Sequence, residues 1–281
     1  MKPIIFLLIY AMSVGSVYAQ VKPDYVPCAE LNIHLDGEPL SSKNKEKLEQ
    51  MSAYMSEFYS SLGLNECLEV RLVIFKSKEE GYEYMRGIYP DKKAYQTTAS
   101  DEYFKTGYGG VYMPASKTAV ILGLEQGMER GLSVIFHEIS HHYTRLLFGK
   151  RTPPVWFNEG LAEHFENMRF SKKKGWISDV SDFDRGKLRT MNMIGELEVE
   201  DLFDMTHKQF IQKLRNEGNM FYAFSHVAVV VLMDNLERGS FKELISRLVS
   251  RKTDEKVSEI VGEVYPGGLN AYKKALHEFI Q

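Results

Sequence analysis

Residues 137–166 read HEISHHYTRLLFGKRTPPVWFNEGLAEHFE, and the spacing within them restricts the fold more than any other feature of the chain. His137 and His141 are four apart, with Glu138 beside the first. On a helix, positions i and i+4 share a face one turn apart, so both imidazoles can converge on one ion while Glu138 points to the neighbouring open side. A catalytic zinc keeps three protein ligands and one open position. Glu159 offers the third, on a second helix that starts near Val155 after the first ends at Gly149 and the chain turns through Arg151 to Pro154. The residues therefore predict two antiparallel helices joined by a short loop. Glu163 lies four residues after Glu159 on the same face, placed to accept the other N–H of a ligating imidazole. Two solvated amphipathic helices with a chance match are the alternative, which His-Glu-x-x-His alone does not exclude.

The remaining periodicity predicts an α+β setting. AELNIHLDG (29–37) reads as a strand, and 41–63 as a helix with Leu48, Met51, Met55, Phe58 and Leu62 at helical spacing. The β-branched run 68–77 reads as a strand, 78–89 as a short helix and 90–105 as a loop. Two strands follow at 109–113 and 118–122, joined by a turn at 114–117. Downstream, helices are expected near 200–216, 218–235, 239–250 and 268–280. The expected architecture is a small mixed sheet with helices in the N-terminal half, the active-site helix pair, and a helical C-terminal half. Residues 20–281 are read as one domain, with an α/β half (20–180) carrying the metal site and a helical half (181–281).

Charge narrows the partners. With 35 Lys plus Arg against 38 Asp plus Glu, the net charge of -3 sets up no field for nucleic acid, so none is expected as a partner. The run Lys172-Lys173-Lys174 reads as a solvated loop. The opening MKPIIFLLIYAMSVGSVYAQ has one lysine, an apolar run and small residues ending at Ala19, the layout of a cleavable signal with its cut after Ala19. A secreted or periplasmic location follows, with no stable membrane insertion after cleavage because no later segment is apolar for long enough. In an oxidising compartment Cys28 and Cys67 could form one disulfide, two buried thiols being the alternative.

Taken together, His137-Glu138-x-x-His141 and Asn158-Glu159-Gly160-x-Ala162-Glu163 resemble the gluzincin metallopeptidases, the clan of thermolysin and the zinc aminopeptidases. The likeness is strongest to the secreted bacterial peptidase MA-like branch, where a Pro-x-Trp before the second motif is common; here it stands as Pro154-Val155-Trp156. It covers roughly residues 105–235, and the interval between the motifs is slightly shorter than in the zinc aminopeptidases. The resemblance implies His137, His141 and Glu159 as zinc ligands and Glu138 as general base. It also implies an edge strand at 109–113 that pairs with an extended peptide through Gly109, Gly110 and Val111, the two glycines allowing close approach; a buried hairpin with glycines for a bulge is the alternative. A Tyr or His from the helical half would stabilise the oxyanion. Tyr222, followed by Ser225, matches that pattern, with His226 as the runner-up.

His142 and His164 read as structural or surface residues, and His34, His207 and His277 have no partner pattern. The expected function is a zinc-dependent peptidase acting on peptide or protein substrates. A zinc amidase on a non-protein amide is the second possibility, because the motifs specify water activation and not the acyl group. A metal-bound protein without turnover is the third, and the intact Glu138 argues against it.

Overall fold

The computed structural model describes residues 32–64, 69–88, 109–124, 127–173, 175–193, 198–217 and 220–281. The expected signal segment, Cys28, Cys67 and the expected loop at 90–105 lie outside them. Strand β1 (Asn32–Gly37) leads through helix α1 (Ser42–Ser61) to β2 (Glu69–Ile74), parallel to it. Helix α2 (Lys78–Ile88) follows. Strand β3 (Gly110–Met113) turns over Pro114–Ser116 and a left-handed Lys117 (φ 48°) into β4 (Thr118–Ile121), antiparallel to it. β4 is parallel to β2, and the sheet order β1-β2-β4-β3 leaves β3 at an edge among the described residues.

Alternation along the strands sorts the two faces. Leu72, Ile74, Ala119 and Ile121 pack into the main core, while Val120 and Met113 pack against Tyr82 and Met85 of α2. Beneath the first face lies α3 (Met128–Phe148), docked on α1. Tyr59 stacks on Tyr143 at 4.9 Å, and its hydroxyl hydrogen-bonds Ser140 Oγ (2.8 Å) and Thr144 Oγ1 (2.9 Å). This buried, satisfied network fixes the rotation of α3 about its axis. Gly149 ends α3 at φ 58°, where an L side chain is strained, and Pro154 precedes α4 (Val155–Glu166).

The chain continues through the hairpin β5 (Met168–Ser171) and β6 (Gly175–Ser178) into α5 (Asp182–Met193), α6 (Val199–Asp204) and α7 (His207–Glu217). It ends in α8 (Met220–Asn235), α9 (Arg238–Ser250), α10 (Val257–Val264) and α11 (Gly268–Ile280). Almost all of α8 is buried, enclosed by α4, α5, α7, α9 and α11. Gly160 lets α4 meet it backbone to backbone, since a Cβ there would stand 2.3 Å from the Ser225 carbonyl oxygen. Among the described residues no helix is long and apolar enough to cross a membrane.

Four features differ from expectation, one of them the short helix α10 (Val257–Val264), for which no helix was expected. The helix expected at 200–216 is two, broken at Met205 and Thr206. Thr206 and Gln209 form a capping box, with Thr206 N–H donating to Gln209 Oε1 (2.9 Å) and Gln209 N–H to Thr206 Oγ1 (3.3 Å), and this starts a new helix. Helix α5 was not anticipated, although Ser181 accepts from the N–H of Asp184 (3.1 Å) as an N-terminal cap. The β5–β6 hairpin was not anticipated beyond a solvated loop at Lys172-Lys173-Lys174, and Lys172 and Lys173 are indeed exposed at its tip.

Candidate metal centre

One face of α3 presents Val134, His137, Glu138, His141 and Arg145 to a cleft of about 910 Å³. Helix α4 supplies the opposing carboxylate. Glu159 Oε2 lies 3.7 Å from His137 Nε2 and 3.6 Å from His141 Nε2, and the two imidazoles stand edge to face with centroids 4.8 Å apart. These separations are too long for hydrogen bonds. Donor atoms each about 2.0–2.1 Å from one zinc ion at tetrahedral angles would be roughly 3.3–3.4 Å apart, so the observed spacing suits an ion of that size within a few tenths of an ångström. Two neutral imidazoles and one carboxylate also form a typical catalytic zinc donor set. The residues present therefore fit zinc.

Electrostatics separates the two imidazoles. Burial lowers His141 to about 4, Glu159 opposing, and keeps it neutral as a ligand must be. For His137 the same burial is outweighed by the carboxylates of Glu159 and Glu166, which hold it well above the usual imidazole value. Glu159 is itself held below the usual carboxylate range, because both histidines outweigh its burial. A cation at this point would take the place of the extra proton that the acidic surroundings demand.

Behind His137, Oε2 of Glu166 lies 2.6 Å from Nδ1, a close charge contact whose angle falls short of a hydrogen bond. Glu163, the partner expected from sequence, is farther at 3.7 Å. Burial and the charge of Glu166 push Glu163 up to about 8, whereas His137 and Arg130 outweigh burial at Glu166 and bring it to about 2. At neutral pH Glu166 is the ionised carboxylate, with the Arg130 guanidinium contacting its other oxygen. Glu166, one turn farther on the same face of α4, thus stands nearer than Glu163 to the rear nitrogen of His137. The signal was present in sequence as the interval of seven from Glu159. His137, Glu163 and Glu166 also form a metal-competent cluster, but it uses the rear nitrogen of His137 and so forms the outer shell of the same centre.

Glu138 is 5% exposed, and its carboxylate accepts the backbone N–H of Tyr112 in β3. Burial raises it to about 8 against the opposing charge of His137. A cation on the adjacent imidazoles would bring that value down. β3 lies alongside, and a Cβ at Gly110 would meet Glu138 Cγ and Oε1 at 2.8 Å, while one at Gly109 would meet Val134 Cγ2 at 2.7 Å. The two glycines therefore make room for side chains of α3 rather than for an incoming backbone, which corrects the sequence reading. The register corrects it further. Leu122 N–H bonds the Gly109 carbonyl, and pairing alternates from there, so Gly109 and Val111 direct their backbone groups to β4 while Gly110 and Tyr112 direct theirs outward.

The structure divides Tyr222 from His226. Tyr222 lines the cleft with its ring 6.4 Å from that of His137. His226, one turn deeper in α8, is 2% exposed and packs 6.1 Å from His164, its Nε2 3.4 Å from Ser178 Oγ in β6. It faces the interior, among α4, β6 and α8, and does not line the cleft. His142 hydrogen-bonds the Tyr112 hydroxyl through Nδ1 (2.6 Å), a structural link between α3 and the edge strand. His207, given no role from sequence, also lines the cleft.

Comparison with known protein families, with curated proteins and with solved structures finds no match to this chain.

Proposed function

We propose that this chain is a zinc-dependent peptidase of gluzincin type, with His137, His141 and Glu159 as ligands and Glu138 as general base. The observation that carries the reading is the convergence of Glu159 Oε2 on both Nε2 atoms at 3.6–3.7 Å in a cleft that also holds a buried carboxylate and an edge strand. A zinc ion held by these donors supplies a Lewis acid for the attacking water and the scissile carbonyl. Glu138 accepts the proton of that water and passes it to the departing nitrogen, its position fixed by the Tyr112 N–H. Gly110 and the Tyr112 carbonyl offer outward backbone groups to an extended substrate, the Tyr112 N–H being taken by Glu138, and this favours a peptide over a compact amide. Tyr222, on the wall across from His137, is the donor for the developing oxyanion.

The test is hydrolysis of a mixed peptide pool by the zinc-loaded protein. Wild type is expected to cut internal or terminal peptide bonds, and Glu138→Gln to lose at least ~10²-fold in turnover. Equal activity of the two proteins would reject this mechanism.

A further inference from the structure

We infer that the cleft carries a carboxylate-recognition subsite, built from Arg145 and Arg251, that selects peptides with an anionic group near the scissile bond. The inference rests on the peptidase reading and names its substrate class. Arg145 follows His141 by four residues on the same face of α3, and both line the cleft. Four residues advance a helix by about 6 Å, and an extended peptide advances about 3.3 Å per residue. With its own side-chain reach, the guanidinium meets a substrate about two or three residues from the bond being cut.

The surroundings hold the Arg145 guanidinium and the Arg251 backbone in place without pairing either cation with a carboxylate. Arg145 donates to the Arg151 carbonyl (2.8 Å), and Arg151 in turn donates to the Arg251 carbonyl. Two loops, one after α3 and one after α9, are thereby tied together through backbone oxygens. Among the described residues neither Arg145 nor Arg251 meets a carboxylate within 4 Å. Two acids on that wall are engaged elsewhere, Asp204 accepting from Ser258 N–H (3.0 Å) and from its hydroxyl, and Glu255 from Arg247 and from the Lys252 N–H, while the third, Asp254, makes no ion pair with either arginine. Partial burial and the neighbouring Arg151 charge lower Arg251, against Glu255, as expected for a cation short of a counter-ion. Arg130, at the far end of the same helical face, is instead paired with Glu166.

The edge strand leads to this end. Gly110 sits against Glu138, and Tyr112 reaches His142 one turn on, so β3 and α3 run the same way along the cleft. Tyr112 and Arg145 line the same cleft, so the strand and that guanidinium face one space. A peptide paired with β3 would deliver either an Asp or Glu side chain or a C-terminal carboxylate here, according to its direction. A guanidinium suits both, since it binds a carboxylate through two parallel hydrogen bonds.

The experiment uses randomised octapeptides, as free acids and as C-terminal amides, with two readouts. Cleavage by the wild type is read by mass spectrometry, and capture by zinc-loaded Glu138→Gln is read from the retained peptides. Both readouts are expected to favour a carboxylate two or three residues from the cut or anchor point. The preference should fall about tenfold when Arg145→Gln and Arg251→Gln are combined in each background, roughly one charge-assisted pair. Loss of the preference on amidation would assign it to the C-terminus, and persistence to acidic side chains. Cleavage or capture without acid preference, or a preference unchanged in the double variant, would overturn the subsite while leaving the peptidase reading intact. Acid-selective capture with no cleavage would uphold the subsite and overturn the peptidase reading.

Discussion

His137 turns its Nδ1 to Glu166, 2.6 Å from Oε2, while Nε2 faces Glu159 Oε2 at 3.7 Å, so a single imidazole is held between two carboxylates of one helix. The rear carboxylate fixes the ring and raises its basicity as a ligand. Replacing Glu166 with Ala should weaken zinc binding by 10- to 100-fold. Glu163→Ala should have the smaller effect, because that group is farther from Nδ1, at 3.7 Å. Competition with a chromogenic chelator measures both, and a larger loss in Glu163→Ala would reverse the assignment.

Gly110→Ala tests whether the edge strand positions the base. The added methyl would stand 2.8 Å from Glu138 Cγ and Oε1, so the carboxylate must move. Turnover should fall about 10²-fold with zinc content unchanged, the usual scale for a displaced catalytic group. Full turnover in a folded, zinc-loaded Gly110→Ala protein would show that the carboxylate has room to spare.

Tyr222 and His226 should separate by phenotype. Tyr222→Phe is expected to lower kcat by ~10²-fold with KM less affected and the melting temperature preserved. His226→Ala empties a buried site beside His164 and should instead cost roughly 2–4 kcal/mol of stability. Steady-state kinetics beside thermal melts distinguish the two, and a catalytic defect confined to His226→Ala would move the oxyanion role there.

The His164–His226 pair should make the fold acid-sensitive. Burial, reinforced by the charge of His226, lowers His164 to about 3; burial also lowers His226 to about 4, with Asp184, Glu166 and Asp179 opposing. The unfolded chain takes up protons below the ordinary value of 6.5 that the folded pair refuses. The pair's contribution is therefore complete above that value and shrinks as pH falls towards 4, with a slope of up to roughly 2.7 kcal/mol per pH unit for two protons. Urea midpoints at pH 7 and pH 5 should converge in His164→Gln/His226→Gln relative to wild type. The same pH dependence in both proteins would exclude the pair as its source.

The helix pair was legible because its signals are local: an i, i+4 histidine pair, Gly149 where the backbone needs positive φ, and Pro154 ahead of a new helix. The choice between Glu163 and Glu166 was not, since it depends on how the imidazole is rotated and on Arg130, which enters from the start of α3. Likewise, periodicity shows a strand at Gly110–Met113 but not which backbone groups face outward, a property of its pairing with β4. The rule that joined Tyr222 to His226 describes one helix face, and here that face passes from the cleft into the interior. The break before α7 was written in Thr206 and Gln209 but concealed by continuous apolar spacing. Helix α10 is short, and its first turn is capped by Asp204 from 54 positions away.

The central claim is that His137, His141 and Glu159 bind one zinc ion while Glu138 does not. Elemental analysis of purified, zinc-equilibrated protein tests it most directly. One zinc per chain is expected in wild type and in Glu138→Gln, and its loss in His141→Ala and Glu159→Ala. Full zinc in His141→Ala, or none in a folded wild type, would contradict the account.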